Sequence, residues 1–181
     1  MRAVVGLGNP GPEYAATRHN VGFWVADALV AHWGMSPFRR GERARVSEGV
    51  VDGVPIHVLK PTTMMNRSGA ALAALRADPA FVPASDLLIV VDDFNIPLGT
   101  YRLRPSGSPG GHNGLKSIEG ALQSQEYPRL RIGVGPVPAG EPWEDFVLSP
   151  FADDEREQMD ALMPQLVEAI DTWVRRGEGV P

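Results

Sequence analysis

The chain opens on an apolar strand that ends in a glycine loop, and that order narrows what it can fold into. Ala3-Val4-Val5 leads to Gly6-Leu7-Gly8-Asn9-Pro10-Gly11, and Thr17-Arg18-His19-Asn20 follows. Residues 2–7 read as a strand buried on both faces, the habit of a parallel sheet. The loop delivers Asn9 and the chain turns back. His19 then arrives where a helical pattern begins. Val21, Trp24, Val25, Ala28 and Leu29 fall at i, i+3, i+4, i+7 and i+8, which predicts a helix over 20–33.

The glycines also match a G-x-G-x-x-G spacing, so a dinucleotide site is the first rival. That motif must open a helix directly, with free N–H groups facing a pyrophosphate. Here Pro10 and Pro12 remove donors and the helical pattern begins well downstream. The acid that should end a second strand, Asp27, lies inside the helical pattern. A nucleotide fold is therefore not expected.

The remaining pattern alternates strand and helix. Residues 44–51 and 54–60 form a hairpin, with Asp52-Gly53 as a type I′ turn. Residues 66–77 are alanine-rich and helical, and Asp86–Val91 is a second buried strand. Residues 99–104 and 130–134 are strands, 113–124 a helix, 133–142 a loop and 153–176 a long amphipathic helix. The expected fold is α/β: a single domain over 1–181 with a twisted mixed sheet, mostly parallel at its centre, flanked by helices.

Composition removes several chemistries. There is no cysteine among the 181 residues, so a thiolate nucleophile, a disulfide framework and a Cys-based zinc site are excluded. No Gly-x-Ser-x-Gly elbow supports a serine nucleophile. The N-terminal apolar run is too short for a signal peptide, and no run is long enough to span a membrane; a cytoplasmic protein is expected. A net charge of −5 argues against a general basic coat for nucleic acid. Arginines do cluster, at Arg39, Arg40, Arg43 and Arg45, at Arg102 and Arg104, and at Arg129 and Arg131; each cluster, taken singly, reads as a solvated face.

Five polar residues remain. Asn9 follows the first strand, Asn66 the second hairpin strand, and Asp92 the run Leu87–Val91, which places Asp92 at a strand end. In open α/β sheets such carboxyl ends form the ligand rim. His19 precedes a helix, whose positive end disfavours imidazolium, so a neutral base is expected. Asp92 can orient that base. Asn113 reads as the N-cap of a helix beginning at Leu115, in a glycine-rich loop able to face a ligand. His32 and His57 read as structural. His19, His112 and Asp92 lack the i,i+4 histidine spacing of a metal site, so no metal is expected. With no thiol or serine elbow, water is the nucleophile.

These motifs together resemble the bacterial-type peptidyl-tRNA hydrolases. The resemblance runs from residue 2 to about residue 151. It is carried by Gly6–Gly11 with Tyr14 and Thr17–Asn20, by Pro61–Gly69, by Asp92-Asp93 with Pro97–Gly99, by Gly110–Lys116 and by Arg129–Gly135. It implies a cofactor-free monomer that cleaves the ester between a peptide and the 3′ ribose of tRNA. By position, His19 is implied as general base, Asp92 as its support and Asn9 as the residue that recognises a peptide-blocked substrate. Asn66 and Asn113 are implied to hold the substrate and the water or oxyanion. Tyr14, Met64 and Met65 are implied to line the groove, and Arg102, Arg104 and Lys116, with Arg129 or Arg131, to meet tRNA.

The chain departs from the family pattern in three places. Met64 stands where an aromatic is common. The loop Pro136–Glu144 carries Glu141 and Glu144, with Asp145 next to it, where relatives tend to be basic. The stretch after Trp173 is short, so a reduced tail over the groove is expected. The alternatives are a non-catalytic RNA-binding relative of the same fold and a general esterase of small esters.

Overall fold

Why strand and helix meet so closely at the N-terminus is explained by two glycines. In the computed structural model, which describes residues 1–177, β1 (Arg2–Gly6) packs directly against α1 (Val21–His32). A Cβ on Gly22 would stand 2.5 Å from the Leu7 carbonyl oxygen and 2.6 Å from that of Val90; one on Gly6 would stand 2.1 Å from the Gly22 oxygen. Backbone touches backbone, and no side chain fits between.

β1 lies inside a seven-stranded sheet. The other strands are β2 (Arg39–Arg40), β3 (Ala44–Val51), β4 (Val54–Pro61), β5 (Leu87–Pro97), β6 (Tyr101–Arg104) and β7 (Arg129–Gly135), in the order β2-β3-β4-β1-β5-β7-β6. β4, β1, β5 and β7 are mutually parallel; β2, β3 and β6 pair antiparallel at the edges. The mixed sheet with a parallel centre is as expected. Asp52 and Gly53 both have positive φ, 50° and 78°, as the type I′ hairpin turn requires.

Side chains alternate between two layers. Val4, Leu88, Val90, Leu130 and Ile132 face α1 and the long α6 (Asp153–Arg176), meeting Val25, Leu29, Leu166, Ile170 and Trp173. Ala3, Val5, Leu87, Ile89 and Val91 face the opposite layer. That layer is a 3-10 segment (Met65–Leu72), α2 (Ala73–Arg76) and α4 (Asn113–Leu122). Among the strands and α-helices described, β2, α3 (Pro83–Asp86) and α5 (Trp143–Val147) were not expected, nor were the 3-10 turns Pro12–Tyr14 and Arg18–Asn20.

Several boundaries are corrected. β5 does not stop at Val91; it continues to Pro97, with a register shift between Asp93 and Pro97, so Asp92 lies within a strand, opposite Ile132. The polar residues Asp92, Asp93 and Asn95 hide this strand from propensity, yet its backbone still pairs with β7. The region 66–77 is mostly 3-10 rather than α, broken at Arg67. The expected tail after Trp173 falls partly on residues 178–181, outside the described residues.

The glycine contact gives a test. Gly22→Ala forces α1 away from β1 and is expected to lower unfolding free energy by about 1–3 kcal/mol, the usual cost of overpacking, read from urea denaturation.

Candidate active site

The carboxyl ends of the parallel strands converge on one cleft. Asn9 follows β1, and Met64, Met65 and Asn66 follow β4. Asn113 starts α4. His19 comes from a 3-10 turn (Arg18–Asn20) ahead of α1. These residues line a cavity of about 400 Å³, closed on another side by Trp143, Glu144, Val147 and Leu148 of α5 and its end. Asp92 does not line it. Its side chain follows Val90 onto the α1 face and stands, 2 % exposed, behind the His19 ring.

Asp92 is held between two imidazoles. His19 Nδ1 lies 2.8 and 3.0 Å from its two oxygens, and His112 Nε2 lies 3.0 Å from Oδ1. The tautomers follow from the partners. His112 Nδ1 accepts the backbone N–H groups of Gly114 (3.0 Å) and Leu115 (3.3 Å), so it carries no proton and Nε2–H donates to Asp92. His19 Nδ1 likewise donates to the carboxylate, which can only accept. The remaining nitrogen of His19, Nε2, is left as the free base of a ring that lines the cleft.

Two expectations are overturned here. Asn113 is not the N-cap of α4; it is the first residue of the helix, and His112 caps it through Nδ1. A histidine at the N-cap leaves the neighbouring amide of Asn113 free to line the cleft. Nor do the surroundings of His19 disfavour its imidazolium form, as its place before a helix suggested. Burial lowers its pKa, but the charge of Asp92 and their hydrogen bond outweigh burial, and the ring sits above the ordinary imidazole value. Burial raises the Asp92 pKa, yet the two imidazoles prevail and hold the carboxyl well below the usual carboxylate range. The role of His112 was missed; its signal was its place at the mouth of a helix after Gly110-Gly111.

Asn9 is oriented just as firmly. Its N–H donates to Asn20 Oδ1 (2.9 Å), and Asn20 Nδ2 donates back to its carbonyl (2.9 Å). Its side-chain oxygen accepts the Met65 N–H at 2.7 Å. With Oδ1 occupied, Asn9 presents its NH₂ group as a donor. Asn20, which had no assigned role, is what fixes it.

Arg18, next to His19, anchors the far wall. Its buried guanidinium donates to the Phe146 carbonyl (3.2 Å), to Ser149 Oγ (2.6 Å) and to Glu155 Oε1 (2.8 Å), and lies 4.1 Å over the Phe146 ring. Trp143 stacks on Phe94, with ring centroids 5.3 Å apart.

Other candidates lie elsewhere. Tyr14 and Lys116 are not among the residues lining the cleft. Arg102 and Arg104 sit on edge strand β6, by a separate cavity shared with Gln165, Glu168 and Thr172 of α6. Arg129 is no part of a solvated face. It is fully buried, donating to the carbonyls of Tyr127, Ser108 and Gln125 and stacked on Tyr127. The side chain is consumed by closing the loops around β7. Arg131 reaches the Ser108 carbonyl and Asp93. For a metal, His19, Asp92 and His112 offer ligand atoms within 4.8 Å of one another, but these atoms already satisfy each other as hydrogen-bond partners.

Comparison with known proteins gives a consistent result. A family model described as peptidyl-tRNA hydrolase matches residues 3–180. A peptidyl-tRNA hydrolase of Gemmatimonas aurantiaca is 44% identical over 180 residues, covering 98% of this chain and 95% of that relative. One of Chloroflexus aggregans is 40% identical, covering 98% and 94%. The crystal structure of peptidyl-tRNA hydrolase from Acinetobacter baumannii superposes with a TM-score of 0.89 at 32% identity, over 97% of this chain and 89% of that one.

The proton assignments are open to NMR. Nitrogen-15 shifts are expected to show His112 as the Nε2–H tautomer and to give His19 a titration midpoint above about 6.5. In Asp92→Asn the midpoint should fall below that value, because burial then acts alone.

Proposed function

The chain belongs to the peptidyl-tRNA hydrolase family, and from that premise we propose how its cleft cleaves the ester joining a peptide to the 3′ ribose of tRNA. His19 Nε2 takes a proton from water as the water oxygen attacks the ester carbonyl. The imidazolium so formed is stabilised by the charge of Asp92, which stays ionised. Collapse of the tetrahedral intermediate breaks the bond to the ribose 3′ oxygen, and that oxygen receives the proton from His19. The products are a peptide carboxylate and free tRNA.

The amide of Asn9 donates to a carbonyl of the acyl group, and Asn66 and Asn113 hold the substrate and the developing oxyanion. Neutral donors do this without the desolvation cost of buried charge. Since the peptide varies, recognition rests on its backbone. Met64 and Met65 give the cleft an apolar floor. Arg102, Arg104 and Lys116, all exposed, meet the tRNA phosphates outside the cleft. The enzyme acts as a cytoplasmic monomer that returns tRNA to translation without a cofactor.

The observation that carries this reading is the hydrogen-bonded run His112–Asp92–His19, which ends in a ring lining a cleft of amides. A pure RNA binder has no use for a buried carboxylate that raises the basicity of a cleft histidine. Incubation with N-blocked and unblocked aminoacyl-tRNA tests it, with selective cleavage of the blocked form expected.

Two outcomes are expected in kinetics. His19→Ala should lower kcat by about 10²- to 10⁴-fold, the range for a lost general base, while circular dichroism and tRNA binding stay as before. The unaltered enzyme should lose kcat/KM as pH falls, with a midpoint above the ordinary histidine value, because Asp92 favours the inactive protonated ring. For tRNA contact, Arg102→Ala or Arg104→Ala should flatten the plot of log kcat/KM against log salt by roughly 0.7–0.9 per lost phosphate contact.

A further inference from the structure

The wall of the cleft formed by α5 is chemically unlike the rest. Asn9, Asn66 and Asn113 are neutral donors, and Met64 and Met65 are apolar. Glu144 alone among the lining residues brings a full carboxylate. It is exposed, and it stands beside the half-buried ring of Trp143 and the apolar Leu148. Arg18, the cation that holds this helix in place, is paired with Glu155 instead.

From this we infer that the Trp143–Glu144–Leu148 wall is a side-chain subsite that favours a basic residue, lysine or arginine, at the peptide position esterified to tRNA. The inference rests on the hydrolase reading above. The carboxylate of Glu144 repels an RNA phosphate, which favours the acyl group over the nucleic acid as the occupant of this wall. The same cavity holds the His19 ring, so the residue carrying the reacting carbonyl projects its side chain within reach. An arginine or lysine suits that wall at both ends. Its aliphatic stem covers Leu148 and the Trp143 ring, and its charged head meets the carboxylate. An acidic side chain meets like charge. The wall is rigid, because Phe146 and Val147 are buried and Arg18 ties the helix to the turn of His19.

The test uses one tRNA body acylated in turn with Nα-acetyl-arginine, Nα-acetyl-glutamate and Nα-acetyl-leucine, so that nucleic-acid contacts cancel. The unaltered enzyme is expected to prefer the arginyl over the glutamyl ester by about two- to fivefold in kcat/KM, the scale of one exposed ion pair. The preference should shrink with added salt. Glu144→Gln is expected to bring the ratio near one, and Glu144→Lys to invert it. An arginyl-to-glutamyl ratio unchanged in Glu144→Gln, with the leucyl ester still cleaved, overturns the subsite alone. Failure of the unaltered enzyme to cleave even the leucyl ester overturns the hydrolase reading and this inference with it.

Discussion

A carboxylate that is almost wholly enclosed must be answered by donors, and Asp92 is answered by two imidazoles. Much else follows from that requirement. His19 must present Nδ1 inward, so Nε2 is left for the cleft. His112 must present Nε2 inward, so Nδ1 is left for the amides at the start of α4. One buried charge thus sets the ring orientation on one side and a helix terminus on the other. Without either partner the carboxylate would be left short of donors at a cost of several kcal/mol.

Sequence made the large features plain. Apolar runs marked β1, β4, β5 and β7, and 3.6-residue periodicity marked α1, α4 and α6. The separated motifs holding Asn9, His19, Asn66 and Asn113 were legible, and the structure gathers all four around one cavity. What stayed hidden was relational. Asp92 looked like a strand end because polar residues follow it, yet β7 supplies backbone partners as far as Pro97. His112 and Asn113 are adjacent, and nothing local says which of them caps the helix; only the position of Asp92 decides. Arg129 looked like a surface cation because its partners are carbonyls of residues whose side chains carry no signal.

The charge distribution resolves an apparent contradiction. A chain of net charge −5 acts on a polyanion. Exposed cations stand on edge strand β6 and on α4, and also at Arg40, Arg43, Arg45 and Arg67, whereas α5 and the start of α6 carry Glu144, Asp145, Asp153 and Asp154. Screening makes only nearby charges count, so the proposed tRNA contacts depend on the local cations and not on the total charge.

The guanidinium of Arg18 has a mechanical consequence. It joins the turn that carries His19 to α5, to Ser149 and to the first turn of α6. The far wall therefore cannot swing outward by itself, since any such movement pulls on the turn that aims the His19 ring. Width of the opening and orientation of the His19 ring are geared together, so an occupant that widened the cleft would also turn the ring.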